Sequence, residues 1–194
     1  EEKEAKSGLS TEYITQWSYG IGETWTLLIP DTKGGASGYI GNNKKALENV
    51  SPNMREYVAQ MNQYWGDQPG TSGPVYAGAL IMFLFILGCF IVKGSLKWAL
   101  LAVTFLSIIL SWGKNFLPVT QWFIDYFPMY NKFRTVSSIL VIAEFCIPLL
   151  AILALKELIA KPKLLLEQRT YTITAFILTG GMALLFALFP SLFF

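Results

Sequence analysis

The sequence predicts an all-α protein, a polytopic transmembrane helical bundle of about four spans with a small extracytoplasmic polar region that contains an amphipathic helix. Three observations lead there. The eighteen residues from Val75 to Val92 carry no charged side chain, and roughly 20 apolar residues in a helix cross the hydrocarbon core of a bilayer. Three further apolar stretches follow before Phe194. Charged residues make up 14% of the 194-residue chain, where soluble domains carry about 25%, and the shortage lies after residue 74. The chain therefore divides into a polar region, residues 1–74, and a membrane region, residues 75–194.

The first span is expected at 75–92. A short basic turn, Lys93 to Lys97, leads into a second at 98–112, whose length is marginal and is completed by neighbouring residues or by local thinning of the bilayer. A loop at 113–135 follows, then a third span at 136–155 and a fourth at 171–189. Gly180 and Gly181 lie in the middle of the fourth, where they favour close helix packing. Lysine and arginine bias sets orientation. Lys93, Lys97, Lys156, Lys161, Lys163 and Arg169 fall on one side, against Lys114, Lys132 and Arg134 in the connecting loop of the other. The first set is then cytoplasmic, and residues 1–74 and 113–135 lie outside.

Within the polar region, Ser51 and Pro52 form a helix start. Met54, Tyr57, Val58, Met61, Tyr64 and Trp65 then recur at helical spacing. This predicts an amphipathic helix over Pro52–Trp65 whose apolar face packs on the membrane domain or the interface, ended by Gly66 to Gly70. Gly34 to Gly41 reads as a flexible loop. Glu23 to Ile29 suits a short helix or a strand equally. The chain opens on EEKEAK without an initiator Met and stops at SLFF, as expected of a piece of a longer polytopic protein.

Composition also excludes chemistry. Histidine is absent, which removes His-based triads and His metal ligands. A net charge of +2 is too small for a nucleic-acid partner. Cys89 and Cys146 fall inside apolar stretches as small core residues. Gly20-Ile-Gly22 lacks the third glycine of a dinucleotide site, and the glycine loop has no following Gly-Lys-Ser/Thr. The outer acids Asp31, Asp67 and Asp125 share no metal-ligand spacing. They suit solvated loops, with a general base or a divalent cation left open.

Two features carry candidate chemistry. The loop from Asn115 to Arg134 crowds seven aromatic residues, among them Trp122 and Tyr130, beside Lys132 and Arg134. Pro118 and Pro128 bracket a short helix, so the segment reads as re-entrant or interfacial. Its functional reading is a lip for a lipid-linked substrate, with Lys132 and Arg134 on the phosphate, since the guanidinium fork donates two parallel bonds. The alternative is an aromatic belt with snorkelling cations. The second feature is Glu144, a carboxylate inside the third span, one turn before Pro148. It should face the bundle interior, water or a partner.

Four strings resemble the YfhO-type family of bacterial integral membrane proteins. They are TQWSYGIGETWTLLIPDTKGGAS (Thr15 to Ser37), YWGDQPGTSGPVYAGAL (Tyr64 to Leu80), SWGKNFLP (Ser111 to Pro118) and FIDYFPMYNKFRTVSSILVIAEF (Phe123 to Phe145). The version here looks most like those of Bacteroidetes. The most specific part is the run of Pro128, Tyr130, Phe133 and Arg134 just before a span. That family is similar to GT-C glycosyltransferases, so the resemblance implies a multi-pass protein of the bacterial inner (cytoplasmic) membrane. It would use a polyprenyl-phosphate sugar donor at the outer face and a glycan or cell-envelope acceptor. A divalent metal is an open cofactor, without visible ligands. Pro128, Tyr130, Phe133 and Arg134 carry the match, and of these Arg134 offers the donor-phosphate chemistry; together with the loop's composition this makes Arg134, Lys132, Tyr130 and Trp122 the expected substrate contacts. The acidic motif that supplies the base in GT-C enzymes belongs to an early outer loop that nothing here matches, so no catalytic base is assigned. Two other classes compete: a transporter or flippase for a lipid-linked glycan, using Glu144, Pro148 and the glycine pair in a moving helix, and an envelope-assembly scaffold that docks through residues 1–74.

Overall fold

A polar cap is stitched over one end of a set of apolar helices. The computed structural model describes residues 8–73 and 75–190, and among them it is helical with no strand. The cap begins with α1 (Thr11–Ile14), whose Ser10 cap accepts a bond from the Tyr13 amide at 3.3 Å. A 3₁₀ turn at Gly22–Leu27 settles the helix-or-strand choice there. α2 (Lys44–Glu48) and α3 (Arg55–Ala59) are single turns.

The helix expected over Pro52–Trp65 stops at Ala59. The next residues leave it to pair with the glycine loop. The Ile40 amide donates to the Met61 carbonyl at 3.0 Å, and the Gln63 amide donates to the Gly38 carbonyl at 2.7 Å. Tertiary pairing overrides the local period. The expected apolar face therefore does not pack on the helices. Met54, Tyr57, Met61 and Trp65 are exposed, and Tyr64 alone of that set is buried. The glycine loop, expected to be free, is pinned by these bonds. Gly34 has a positive φ of 80° and lies so close to the Gln63 carbonyl that any Cβ would collide with it.

The membrane region comprises α4 (Ala79–Ile91), α5 (Ser95–Ser111), α6 (Leu117–Tyr126), α7 (Leu140–Ala160), the single turn α8 (Leu164–Glu167), α9 (Arg169–Phe176) and α10 (Met182–Leu188). Among the described residues, two helical stretches are long and apolar enough to span a membrane: Val136–Ala160, which is a 3₁₀ turn leading into α7, and Arg169–Leu188. They mark the chain as a membrane protein. α4 is apolar but only 13 residues long, about 20 Å at helical rise. It is shorter than the expected 75–92 because Gly78, with φ of 104°, breaks the run. The amides of Ala77 and Gly78 are drawn instead to the Leu27 carbonyl of the cap, at 3.1 and 3.2 Å. α5 is 17 residues long and bends 110° into α6. α7 runs five residues beyond the expected end at 155, because no breaker occurs before Pro162.

α7 is the centre of the bundle. It lies between α4 and α5, which are consecutive in sequence but do not form the main contact with each other. α9 and the residues after it pack on the other side of α4. The α4–α7 crossing depends on small residues. A Cβ on Gly88 would sit 3.2 Å from Leu150 and 3.3 Å from Ala154, and Ala143 and Ala154 are fully buried. On α5, Thr104, Ser107 and Ser111 are buried, and their hydroxyls donate to the carbonyls of Leu100, Thr104 and Ile108 at 2.7, 2.9 and 2.6 Å. Each is satisfied within its own helix, so α7 can pack against a polar sequence without stranding a donor. The glycine pair of the fourth stretch lies in a π-helical turn, Ile177–Gly181, between α9 and α10.

Candidate functional site

The bend after α5 creates the site. Gly113 has a φ of 47°, and a Cβ there would collide with the Ser18 side chain and approach Val136. Only glycine lets the chain turn this tightly against the cap. The Ser18 hydroxyl then accepts from the Lys114 amide at 2.8 Å, and Thr120 donates to the Gly113 carbonyl at 3.1 Å. α6 is the short helix expected between Pro118 and Pro128, and Pro118 sits in its first turn where a missing N–H costs nothing. Met129 turns the chain with a left-handed φ of 64°, and the segment returns to α7.

That return strand of loop, Tyr130 to Ile139, forms a wall with a cavity on each side. One is an open groove of about 630 Å³ lined by Tyr13, Lys132, Arg134 and Ser138. The other is an apolar pocket of about 220 Å³ lined by Tyr130, Val136 and Ile139. Phe133, Thr135 and Ser138 border both. The cap forms one side of the polar groove. The Arg134 Nη1 donates to the Tyr13 hydroxyl at 3.1 Å, and the Leu9 amide donates to the Asn131 carbonyl at 3.0 Å. The Tyr13 oxygen stabilises the guanidinium and raises its pKa further, so Arg134 stays cationic at every physiological pH. Burial pushes the Tyr130 hydroxyl up from its ordinary value, so it is a neutral donor in the same range.

Lys132 and Arg134 share the groove, and Tyr130 lies in the adjoining pocket. Trp122 lines neither. It lies on α6, with its ring 5.2 Å from Phe123, whose ring is in turn 5.6 Å from Tyr130. Glu144 is exposed on α7 and lines neither cavity, and its carboxylate acts on the buried Tyr19 hydroxyl of the cap. The arrangement can hold an anion on two cations while an apolar group lies across Phe133. Both cations are exposed, so their attraction for an anion strengthens once a bound molecule displaces water.

The cap holds a second constellation that the sequence reading did not single out. Glu23 is 4% exposed. Its carboxylate accepts from the Tyr64 hydroxyl and the Gly20 amide, both at 2.6 Å, and from the Asp67 amide at 3.4 Å. The Tyr64 oxygen accepts in turn from the Gln68 amide at 3.0 Å. Asp67 approaches the same point. A Cβ on Gly20 would sit 2.8 Å from Glu23 Oε2 and 3.0 Å from Asp67 Oδ2. Asn115 donates to Asp67 Oδ2 and to the Tyr19 carbonyl, both at 2.9 Å. Glu23 is thus fully satisfied and ties the cap to the bend. Among the described residues no three acids, cysteines or histidines gather as a metal site. Beneath the cap, an apolar cleft of about 420 Å³ opens between α4 and α5, walled by Trp25, Leu28, Phe85, Ile108 and Trp112. Trp112 Nε1 donates to Thr24 at 2.9 Å across it. No local pattern marks this cleft, because its walls come from five separate segments.

Comparison with family models, with curated proteins and with solved structures gives no match to this chain.

Proposed function

We propose that this chain belongs to a multi-pass membrane glycosyltransferase of GT-C type that takes a sugar carried on polyprenyl phosphate at the outer face of a bacterial inner membrane. The observation that carries the reading is the adjacency of a two-cation groove and an apolar pocket across the Phe133 to Ser138 wall. A lipid-linked phosphate has the matching two halves. The family likeness of the sequence then selects sugar transfer over simple binding. In this reading α4 and α5 also cross the bilayer, with local thinning making up their length. The cap and α6 then lie outside, as the distribution of lysine and arginine requires. Arg134 and Lys132 stabilise the charge that develops on the leaving phosphate, and Tyr130 holds the start of the apolar chain. The catalytic base and the acceptor site are left to other parts of the machinery.

The test is Arg134→Gln in the complete protein in its own membrane, compared with Arg134→Lys. Loss of a charged hydrogen bond to phosphate is worth about 1.5–3 kcal/mol, so glycan transfer should fall roughly 10- to 100-fold with Gln. Lys should recover only part of it, having no fork. Unchanged transfer and unchanged donor affinity in both variants would remove Arg134 from the site. An impermeant amine reagent added from outside tests the orientation separately: Lys132 should react and Lys161 should not.

A further inference from the structure

α7 has two apolar faces, and the bundle covers only one. Leu140, Ala143, Ile147, Leu150, Ala151 and Ala154 are buried against α4 and α5. On the opposite side Val141, Phe145, Ile152, Leu155 and Ile159 are 43 to 72% exposed. With the half-buried Pro148 between them, these positions are spaced alternately by four and three residues along the whole helix. That spacing marks one continuous face of the helix, of the kind that packs at a shallow left-handed crossing.

Glu144 flanks this seam. It is the ninth residue of the 25-residue stretch from Val136 to Ala160, roughly 12 Å along the helix and about 6 Å short of its midpoint at 1.5 Å per residue. Its carboxylate acts on the buried Tyr19 hydroxyl of the cap, which carries no positive charge, and no hydrogen bond or ion pair satisfies it among the described residues. An ionised group at that depth is costly unless it meets water or an opposite charge. The cations of the long apolar helices, Lys97, Lys156 and Arg169, all lie toward the other end of the bundle.

We infer that this face of α7 is the docking surface for another transmembrane helix, one that carries an arginine or lysine at the depth of Glu144. The heptad-spaced residues supply the packing, and the flanking carboxylate fixes register and partner, as charged positions beside a coiled-coil seam do. A second copy of this chain fits poorly. In the same membrane orientation its α7 would bring Glu144 against Glu144, with no cation at that level to pair either one.

A photo-crosslinking amino acid at Ile152, in the full chain in its native membrane, tests this. A probe at the exposed Phe105 of α5 serves as the control face. Expected is one protein adduct from position 152, through a transmembrane segment with Arg or Lys at the facing depth, and lipid adducts from position 105. Glu144→Leu should lower the protein adduct at least tenfold, with tryptophan emission reporting that the variant is folded. Glu144→Arg combined with Glu at the partner's cation should restore the yield to within about twofold of the original. Lipid adducts alone at position 152, a self-adduct, a yield insensitive to Glu144→Leu, or no recovery on exchanging the charges would each overturn the proposal.

Discussion

The cap and the α4–α7 seam are held together by opposite means. In the cap, distant segments meet through directed bonds to a few buried groups: Glu23 with Tyr64 and two amides, Asn115 with Tyr19 and Asp67, Trp112 with Thr24. In the seam, Gly88 meets Leu150 and Ala154 with nothing but contact surfaces. A bonded junction fails when a donor or acceptor is removed, whereas a packed junction fails when volume is added. The two junctions should therefore respond to different substitutions.

The largest effect is expected from Glu23→Ala. Removing the carboxylate strands the Gly20 amide and the Tyr64 hydroxyl in a buried place, and each stranded group costs about 1–3 kcal/mol. The cap should lose about 3 kcal/mol of local stability. Hydrogen exchange in lipid nanodiscs checks this: the amides of Gly20, Asp67 and Gln68 should exchange with the loss of protection that this energy implies, while α4 and α7 keep theirs. Glu23→Gln keeps the shape and one acceptor, so it should cost less. Equal loss of protection in cap and seam would mean that the two are one cooperative unit.

Gly88→Leu addresses the other junction. A Cβ alone is already 3.2 Å from its neighbour, so a larger side chain forces α4 and α7 apart, at about 2 kcal/mol by the usual cost of overpacking. Thermal unfolding in nanodiscs should fall, with cap exchange unchanged. Gly88→Ala should have a smaller effect of the same sign.

The sequence exposed the seam better than the cap. An uncharged run from Val75, prolines at 118 and 128, and the apolar stretch after Val136 each signal structure over a few consecutive residues. The corresponding helices formed, with ends displaced where the cap captures backbone groups, as Leu27 does at Gly78, or where no breaker stops the run, as past residue 155 in α7. Glu23 was invisible because its partners Tyr64 and Asp67 are 41 and 44 residues away, and one acid in Gly-Glu-Thr-Trp has no period to reveal its burial. The over-long helix at Pro52–Trp65 failed for the same reason: its local period is real, but residues 61 and 63 gain more from pairing with the glycine loop. The candidate site was half legible. Lys132 and Arg134 are neighbours in sequence and meet in one groove, whereas Tyr13, which holds Arg134, lies 121 residues away.

A milder way to divide the junctions uses pH. Burial pushes the hydroxyls of both Tyr19 and Tyr64 well above the ordinary tyrosine value of about 10. The nearby carboxylate of Glu23 pushes in the same direction at each. In the folded cap these tyrosines keep their protons where the unfolded chain would lose them. Their contribution is therefore complete below pH ~10 and falls as the pH rises beyond it, by about 1.4 kcal/mol per pH unit for each group. The contacts of Gly88 with Leu150 and Ala154 involve no titrating group, so alkaline conditions should open the cap first. Tryptophan emission followed together with tyrosinate absorbance should show cap opening that begins near pH 10, while helix content persists. Tyr64→Phe removes one of the two titrating groups and should halve the dependence on pH, even though it lowers the starting stability by losing the bond to Glu23. Cap opening with the same pH slope in this variant would show that the buried tyrosines do not govern the alkaline limit, and that the cap is held by contacts that do not titrate, as the seam is.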